Sequence, residues 1–450
     1  MGDGGKSMHP SFCPPRHGHS PNEAPPTSWV LLDLHAYIAD RENATTACAM
    51  ASNGKAIRVT FCAAPPPLVS YLCVWSPDVK IAVEPTVEAA EDDLVFLRVP
   101  FVGPPAYRSY FVYKATGGEG PSLRLLEDLI PSLPRRHNYT LLAVGERPPA
   151  VDDDDGYCIA ALNQQSARHP CRFELSLFDS RHPKWTNTLV SLDGIPFHIT
   201  AKVISLGGGL LGFVDPWRGI IVCDVHGRKS ARYLPLPCEL VRFDTMGYEP
   251  LLRRDVALVQ GRLTVVELCG EIIPDHPTTW KVSTWSRMVT DDWEEDWRMD
   301  RMFHSYSITV DSNTKYAELL PKLQGSDGEH RPGLGKLYAA HSTLSLSDEN
   351  VVYIMGKINL SDKKALVLSI DMEIPRVQEV AVFDAERMFG VFSCTYTQSR
   401  ISGYFNMAAG AGVKGNPKRP GKFPMLYPRK LQDTGAGKGA EDDDNSMVLD

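Results

Sequence analysis

The stretch Gly212-Phe-Val-Asp-Pro-Trp-Arg-Gly-Ile-Ile-Val-Cys-Asp224 predicts a β-hairpin. Asp215 suits the first position of a type I turn, and Pro216 presets the backbone of the second position. Gly219 can adopt the left-handed conformation that closes a bulged hairpin. We therefore expect the apolar residues on the two sides of the turn to form two strands of similar length.

The strand after this turn is apolar almost without interruption, and the chain contains other runs of the same kind. The runs are Ile220–Val225, Val256–Val259, Val351–Met355 and Ala365–Leu368. A continuous apolar run is typical of a strand that is buried on both faces of its sheet. In α/β proteins helices cover the second face, but only Ser122–Ile130 and Asp384–Phe389 show helical spacing here. Sheets must therefore cover other sheets.

Further short runs of β-branched and aromatic residues, bounded by Gly, Pro, Asn or Asp, predict strands along most of the chain. They are Ala56–Cys62, Leu94–Phe101, Ser109–Lys114, Tyr139–Gly145, Tyr157–Leu162, Phe173–Phe178, Leu210–Val214, Leu263–Leu268 and Trp280–Trp285. A β-propeller packs its blades face to face around an axis and leaves only short sheet edges. The sequence thus predicts an all-β, β-propeller-like domain.

A weak internal repeat supports the propeller. Three similar segments are spaced by roughly 50 residues, close to the length of a propeller blade: Asp155-Gly-Tyr-Cys-Ile, Gly208-Gly-Leu-Leu-Gly and Gln260-Gly-Arg-Leu-Thr. Asn53-Gly-Lys-Ala-Ile lies about two periods earlier. Asp348-Glu-Asn-Val-Val fits if a segment is inserted before it, which we place at Asp311–Gly335. The period predicts six or seven blades, and two stacked β-sandwich domains are the alternative.

Length and composition are those of a soluble globular protein. The chain has 450 residues, 43% hydrophobic and 23% charged, with a net charge of −8. This acidic balance argues against broad nucleic-acid binding, which requires a basic surface. We find no apolar run as long as a membrane span and no apolar signal-peptide core. We therefore expect a cytoplasmic or nuclear protein without membrane contact, whose ten cysteines are reduced.

The two ends of the chain have the composition of disordered segments. Residues 1–27 are rich in Pro, Gly, His and Ser, and residues 408–450 are rich in Gly, Lys and Pro before an acidic close. Residues 28–407 then form the folded domain. The tail carries a loose basic cluster of Lys414, Lys418, Arg419, Lys422, Arg429 and Lys430. This cluster predicts either a solvated tail or a nuclear-import signal, and nucleic acid would bind weakly through it alone.

The strand and turn residues in the middle of the chain form a distinctive pattern. They comprise Val214-Asp-Pro-Trp-Arg-Gly-Ile-Ile-Val-Cys-Asp-Val225, Arg232-Tyr-Leu-Pro-Leu-Pro237 and Thr279-Trp-Lys-Val-Ser-Thr-Trp-Ser286. In these segments the chain resembles a plant family, expanded in grasses, labelled domain of unknown function 1618. The resemblance is densest over residues 213–289 and implies no catalytic residues. Similar plant proteins often pair an F-box with a propeller-like region, but we find no F-box-like helical segment before residue 50.

Two glycine motifs lack the surroundings of a dinucleotide site. The G-x-G-x-x-G matches are Gly207, Gly209 and Gly212, and Gly410, Gly412 and Gly415. Such a motif binds pyrophosphate only where it opens a helix. The first match leads into the hairpin and the second into a proline-rich tail, so we predict that neither binds NAD.

Two groups of potential metal ligands lack the geometry of a metal site. One consists of His9, Cys13, His17 and His19, and the other of Asp152–Asp155. Zinc needs four ligands held by a small fold, and calcium loops alternate their carboxylates rather than placing them in a row. We also find no nucleophile elbow, zinc-protease, P-loop or kinase motif. We therefore assign no catalytic, cofactor-binding or metal-binding residues and expect no cofactor.

Four tryptophans are the candidate partner-binding residues. Trp285, Trp293 and Trp297 lie in one short charged segment, and Trp217 lies at the hairpin turn. Exposing a Trp ring to water is costly, and Trp is enriched in the hot spots of interfaces. Each ring therefore either covers a seam between blades or binds a partner.

Three functional hypotheses follow. We favour a non-enzymatic module that binds an unknown protein through loops at one end of the blades, because binding sites usually lie on loops carried by a rigid scaffold. The second hypothesis is a hydrolase-type enzyme with its site at the propeller axis, where geometry would select a pair of carboxylates. The third is a nuclear factor that contacts nucleic acid through the basic tail.

Overall fold

Almost all regular secondary structure in the computed structural model of the chain is β-strand. The structure describes residues 9–18, 27–103, 107–116, 120–126, 143–146, 156–166, 169–195, 197–241, 249–270, 272–273, 276–277, 279–290, 293, 295–324 and 330–409. The strands in these ranges are β1 (Val30–Asp33), β2 (Tyr37–Ile38), β3 (Ala47–Met50), β4 (Ala56–Cys62), β5 (Val69–Trp75), β6 (Thr86–Glu91), β7 (Leu94–Phe101), β8 (Tyr107–Lys114), β9 (Ser122–Leu126), β10 (Ala143–Glu146), β11 (Tyr157–Ser166), β12 (His169–Asp179), β13 (Lys184–Ser191), β14 (Lys202–Gly207), β15 (Leu210–Asp215), β16 (Gly219–Asp224), β17 (Arg232–Pro235), β18 (Arg254–Val259), β19 (Arg262–Cys269), β20 (Ile272–Ile273), β21 (His276–Pro277), β22 (Lys281–Met288), β23 (Arg298–His304), β24 (Thr309–Lys315), β25 (Lys322–Gln324), β26 (His330–Pro332), β27 (Tyr338–Leu344), β28 (Val351–Lys357), β29 (Lys364–Asp371), β30 (Arg376–Asp384) and β31 (Tyr396–Ser399).

Helical structure in the described ranges is confined to short segments. They are 3₁₀ helices at Pro10–Phe12, Pro250–Leu252, Ser305–Ser307, Ala317–Leu319 and Ala385–Arg387, and one α-helix, α1, at Ile401–Ala409. None of these described helices has the length and apolar character that crossing a bilayer requires. Helices therefore contribute little to the cover of the sheets.

Six sheets form the blades of a β-propeller, as the sequence predicts. From the innermost strand outward, blade 1 is β6-β7-β8-β9, blade 2 is β10-β11-β12-β13, blade 3 is β14-β15-β16-β17 and blade 4 is β18-β19-β22-β23. Blade 5 is β27-β28-β29-β30-β24, and blade 6 is β31-β1-β5-β4-β3 with β2 beside β5. Innermost strands of consecutive blades contact one another from β6 through β10, β14, β18 and β27 to β31.

Consecutive blades share an apolar core, and six such cores close a ring. In β16, Ile220 and Val222 lie in the core between blades 3 and 4, whereas Ile221 and Cys223 lie in the core between blades 2 and 3. Successive side chains of a strand point to opposite faces. A strand between two cores therefore needs apolar residues at every position, and the prediction that sheets cover sheets is confirmed.

Blade 6 is built from both ends of the folded region. β31 pairs antiparallel with β1, with Val30 opposite Ser399 and Asp33 opposite Tyr396. β1 in turn pairs in parallel with β5. A strand from the C-terminal part of the domain thus supplies the innermost position of a sheet whose other strands come from its N-terminal part. This pairing closes the ring at six blades.

Four of the five predicted repeat segments lie at equivalent positions. The segments that begin at Asp155, Gly208 and Gln260 lead into β11, β15 and β19, the second strands of blades 2, 3 and 4. Asp348 precedes β28, the second strand of blade 5, and the predicted insertion before it contains β24, β25 and β26. Asn53 instead precedes β4, which is the fourth strand from the axis in blade 6, so that match is wrong.

The hairpin predicted for residues 212–224 is confirmed, but Gly219 has a role different from the predicted one. β15 and β16 pair with Asp215 opposite Gly219, and the Asp215 carboxylate accepts a hydrogen bond from the backbone N–H of Trp217 at 2.9 Å. Gly219 is not left-handed. A Cβ atom there would lie 2.5 Å from the carbonyl oxygen of Leu234 and from the Tyr233 ring. Glycine is thus required because β17 approaches closely.

The two predicted helices are wrong. Ser122–Leu126 is strand β9, and residues 127–130 lie outside the described residues. Leu123 and Leu126 are buried and pair with Tyr113 and Tyr110 of β8, so sheet pairing overrides the helical spacing. The second segment contains only the 3₁₀ turn Ala385–Arg387.

Residues 9–18 lie within the segment predicted to be disordered, yet they contact the folded domain. The hydroxyl of Tyr71 and the guanidinium of Arg41 donate to the carbonyl of Pro15 at 2.7 and 3.0 Å. The Ser11 hydroxyl donates to Glu84 Oε1 at 2.5 Å. Composition does not reveal such anchoring, because donors from distant strands satisfy the backbone carbonyls.

A buried cation reinforces the closure of the ring. Arg387, in the connection from blade 5 to β31, donates to Asp33 Oδ2 at 3.1 Å and to Glu84 Oε1 at 2.8 Å. Its guanidinium carbon lies 3.7 Å from the ring centroid of Tyr37. Asp33 ends β1 and Glu84 precedes β6, so one side chain joins blades 5, 6 and 1.

We expect Arg387→Met to destabilise the protein by about 3–5 kcal/mol, because it leaves the Asp33 carboxylate buried without a cation. Equilibrium unfolding in urea measures the change. Lys363→Met is the control, since its ion pair with Glu386 is exposed and contributes little. Equal loss of stability in both variants would contradict the closing role of Arg387.

Candidate functional site

Three of the candidate tryptophans lie at the seam between blades 3 and 4. Trp285, Trp293 and Trp297 are half-buried and pack against the apolar core that these blades share. β22 places Trp285 opposite Val265 of β19 and Met299 of β23. Since Val265 belongs to that core, this register turns the Trp285 ring towards blade 3. All three rings therefore cover the seam and keep part of their surface exposed.

Specific contacts hold the loop that carries these rings. Trp293 has a φ of 57°, a left-handed conformation that costs on the order of 1 kcal/mol. Arg287 donates to the carbonyl of Trp293 at 2.7 Å, and its guanidinium carbon lies 5.7 Å from the Trp297 ring centroid. Trp297 Nε1 donates to the carbonyl of Pro235 in β17 at 2.9 Å. Trp293 is thus bonded to blade 4 and Trp297 to blade 3.

Exposed methionines extend this apolar surface. Met299 and Met302 of β23 are 49% and 44% exposed. They pair with Trp285 and Ser283, so they lie on the same face of the sheet as Trp285. We define the tryptophan surface as Trp285, Trp293, Trp297, Met299 and Met302. Arg298 and Arg301 of β23 are also exposed, but they pair with Ser286 and Thr284 and therefore lie on the other face of the sheet.

Trp217 has different surroundings. It lies in the turn between β15 and β16, and the guanidinium carbon of Arg254 is 4.8 Å from its ring centroid. Arg254 is buried and donates to Glu267 Oε1 at 2.6 Å and to the carbonyl of Pro216 at 2.9 Å. The four candidate tryptophans therefore form two groups, and the Trp217 ring covers a buried ion pair.

Polar side chains from the innermost strands meet at the propeller axis, a site that the sequence analysis missed. Lys202 of β14 donates to Asp255 Oδ1 of β18 and to Gln398 Oε1 of β31, both at 2.7 Å. Asp255 Oδ2 accepts from Gln398 Nε2 and from the backbone N–H of Leu344 in β27, the latter at 2.9 Å. The network ties four blades together and uses both oxygens of Asp255.

A second acid lies near this network. Glu91 ends β6, the innermost strand of blade 1. Burial and the neighbouring Asp92 charge raise the pKa of Glu91 to about 8, against the opposing charges of Arg400 and Lys202. The Glu91 carboxyl is therefore mostly protonated at pH 7. Asp255 forms an ion pair with Lys202.

His341 lies beside the axial network at a β-bulge. The register between β27 and β28 shifts at His341, whose φ is 53°. Its ring centroid lies 4.2 Å from that of Tyr396, and its Nε2 lies 3.7 Å from Cys394 Sγ. Burial lowers the pKa of His341 to about 4 and raises the pKa of Cys394 to about 12. Both groups are neutral at pH 7, so the thiol is not an activated nucleophile.

The other motifs considered in the sequence do not join either site. Gly207 ends β14 and Gly209 lies in the turn that follows, with φ values of 84° and 86°, and Gly212 lies within β15. His17 Nε2 donates to the carbonyl of Val69 at 2.9 Å, and His9 Nδ1 lies 2.7 Å from the Ser11 hydroxyl. In the described ranges no three His, Cys, Asp or Glu side chains are grouped so as to hold a metal ion.

Several predictions fall on residues outside the described ranges. They concern His19, Asp152–Asp155, the glycines Gly410, Gly412 and Gly415, and the basic cluster Lys414, Lys418, Arg419, Lys422, Arg429 and Lys430. These remain predictions from the sequence.

The lowered pKa of His341 predicts acid sensitivity. The unfolded chain takes up the proton near pH 6.5 and the folded chain only near pH 4, so stability falls as the pH drops between these values. At pH 5 the loss from this residue is about 2 kcal/mol. Urea unfolding at pH 7 and pH 5 should show a smaller pH-dependent loss for His341→Gln than for the wild type. An equal loss in the two proteins would contradict this assignment.

Known structures resemble the chain only distantly. The WD40 domain of SCAP from fission yeast is 11% identical, with 80% of this chain and 85% of that chain covered and a TM-score of 0.30. The hemagglutinin-neuraminidase of Parainfluenza Virus 5 is 9% identical, with 68% of this chain and 79% of that chain covered and a TM-score of 0.32. An alpha-L-arabinanase of Penicillium chrysogenum is 13% identical, with 70% of this chain and 95% of that chain covered and a TM-score of 0.26. No curated protein matches this chain significantly. These similarities carry no functional argument.

A family match covers the region that contains both groups of tryptophans. The model of the family described as "Protein of unknown function (DUF1618)" matches residues 213–353. The match begins in β15, includes all of blade 4 and ends in β28. The resemblance predicted from Val214–Val225 and its companion segments is thus confirmed: residues 213–353 of this chain match the DUF1618 family.

Proposed function

We propose that this protein is an interaction module that binds a partner protein through the tryptophan surface. The observation that carries the proposal is the set of three half-buried tryptophans beside the exposed side chains of Met299 and Met302. Trp, Met and Arg are enriched in the cores of protein interfaces. Hot spots form where aromatic rings are well packed at their base and accessible at the top.

Hydrogen bonds within the chain position two of the tryptophans for binding. Arg287 donates to the Trp293 carbonyl, and the Pro235 carbonyl accepts from the Trp297 indole. Preorganised side chains lose little conformational entropy when they bind, and more of the interaction energy then remains as affinity.

Charge and polarity indicate the partner's chemistry. The apolar centre of Trp and Met side chains suits a segment with apolar side chains. Arg298 and Arg301 lie on the other face of blade 4 and do not contribute to this surface. We therefore propose that the partner contributes a segment with apolar side chains.

We expect Met299→Glu combined with Met302→Glu to weaken partner binding at least tenfold, because it places two carboxylates in the apolar centre of the surface. A tenfold change corresponds to about 1.4 kcal/mol. Affinity capture from the source tissue identifies partners, and calorimetry with the purified partner then measures the dissociation constant.

Ile374→Glu is the matched control, since Ile374 is 59% exposed in the turn between β29 and β30 of blade 5. It should bind the partner as the wild type does. A purified partner that binds both variants equally would contradict the proposal, as would capture without any reproducible binary complex.

A second candidate function is hydrolysis at the axis, favoured by two acids on the innermost strands, Asp255 and Glu91 with its raised pKa. A protonated carboxyl and an ionised one can act as general acid and general base in glycoside hydrolysis. The axial network weighs against this candidate, because both oxygens of Asp255 are already occupied by Lys202, Gln398 and Leu344. A substrate would first have to displace these contacts.

Assays on a panel of nitrophenyl glycosides and plant polysaccharides test the axial candidate. If it holds, at least one substrate is turned over, and Glu91→Gln abolishes turnover because the amide cannot donate the carboxyl proton. Glu318→Gln, an exposed position outside the axis, should keep full activity. Absence of turnover across the panel, or equal rates in both variants, would exclude a glycosidase at this site.

A further inference from the structure

The outer strand of blade 2 is an unusually long exposed sheet edge. β13 spans eight residues, Lys184–Ser191, and six of them are exposed. It pairs with β12 on one side, and no strand in the described ranges pairs with the other side. The outer edge of such a strand is a template on which another strand can pair.

Other outer strands of the propeller carry features that block such pairing. β23 has two arginines, Arg298 and Arg301. β17 has only four residues and ends at Pro235, and β3 also has four residues. Charges, prolines and short length are the usual protection of sheet edges. In β13 the single charged residue is Lys184, at the end of the strand.

The sequence of β13 is nearly symmetric about its centre. Trp185-Thr186-Asn187-Thr188-Leu189 reads apolar, Thr, Asn, Thr, apolar. In an antiparallel pair of identical strands, a two-fold axis through one residue places i−1 opposite i+1 and i−2 opposite i+2, with both side chains on the same face. This is the symmetry that pairing with a second copy of the strand requires.

We propose that β13 pairs antiparallel with β13 of a second copy of the chain, about a two-fold axis at Asn187. Thr186 then lies opposite Thr188 of the second copy, and Trp185 lies opposite its Leu189. Hydroxyl pairs and aromatic–aliphatic pairs are favourable across strands. The two blade 2 sheets join into one continuous sheet, and the chain forms a homodimer.

The charge pattern supports pairing with a second copy of the chain. In the proposed register Lys184 faces Val190 of the second copy, so no like charges meet. Leu189, which is 55% exposed in the single chain, gains cover from an indole ring. The same operation on β23 would place Arg301 against Arg301 of the second copy, where like charges repel. Self-pairing thus suits β13 and does not suit β23.

Two double variants at the same exposed positions test both the dimer and its register. Thr186→Lys with Thr188→Lys places ammonium groups opposite each other across the interface. Thr186→Glu with Thr188→Lys places a carboxylate opposite an ammonium group. Light scattering coupled to gel filtration, and sedimentation velocity over a concentration series, measure the molar mass of the full chain.

We expect the wild type and the Glu/Lys variant to be dimers, and the Lys/Lys variant to dissociate with a dissociation constant at least tenfold higher. Circular dichroism and the unfolding midpoint check that both variants keep the fold. A monomeric wild type would overturn the proposal, and equal masses for the two variants would overturn the register.

Met299→Glu with Met302→Glu should stay dimeric, because the tryptophan surface lies on blade 4. The dimer proposal and the proposed function can therefore fail separately.

Discussion

The antiparallel pairing of β31 with β1 is the contact on which the whole architecture depends. A row of sheets packed face to face has an uncovered apolar face at each end, and only closure into a ring removes both. Here the closing core buries side chains such as Phe61 of blade 6 and Phe111 of blade 1. Burial of one such side chain contributes roughly 1.5–3 kcal/mol. The Arg387 ion pairs lie at the same junction, where loss of order would open the ring.

A closed ring of sheets leaves two kinds of place for function, the axis and the rim, and they differ in chemistry. At the axis, Lys202, Asp255 and Gln398 satisfy one another, and His341 and Cys394 are kept neutral by burial. Those groups chiefly hold the innermost strands together. At the rim, the tryptophan surface and the β13 edge keep exposed side chains, which suit surface contact and strand pairing. The rim therefore favours association over chemistry.

Central strands could be predicted from the sequence, and edge strands largely could not. The predicted bounds Ala56–Cys62 and Leu94–Phe101 agree with β4 and β7. Neighbouring sheets cover the faces of both strands, so burial determines most of their residue types. β13 was not predicted because its exposed Thr and Asn residues resemble a loop. β9 was predicted as a helix because the spacing of its leucines suits either structure, and only the neighbouring β8 decides between them.

The sequence by itself determined the all-β class, the hairpin at Asp215 and the repeat of the second strands. These features depend on neighbours along the chain and on the average polarity of short runs. Only the tertiary structure decided the axial network, the bulge at His341, the close approach that requires Gly219 and the separation of Trp217 from the other tryptophans. These features depend on the register between strands that are far apart in the chain, which becomes defined only when the ring closes.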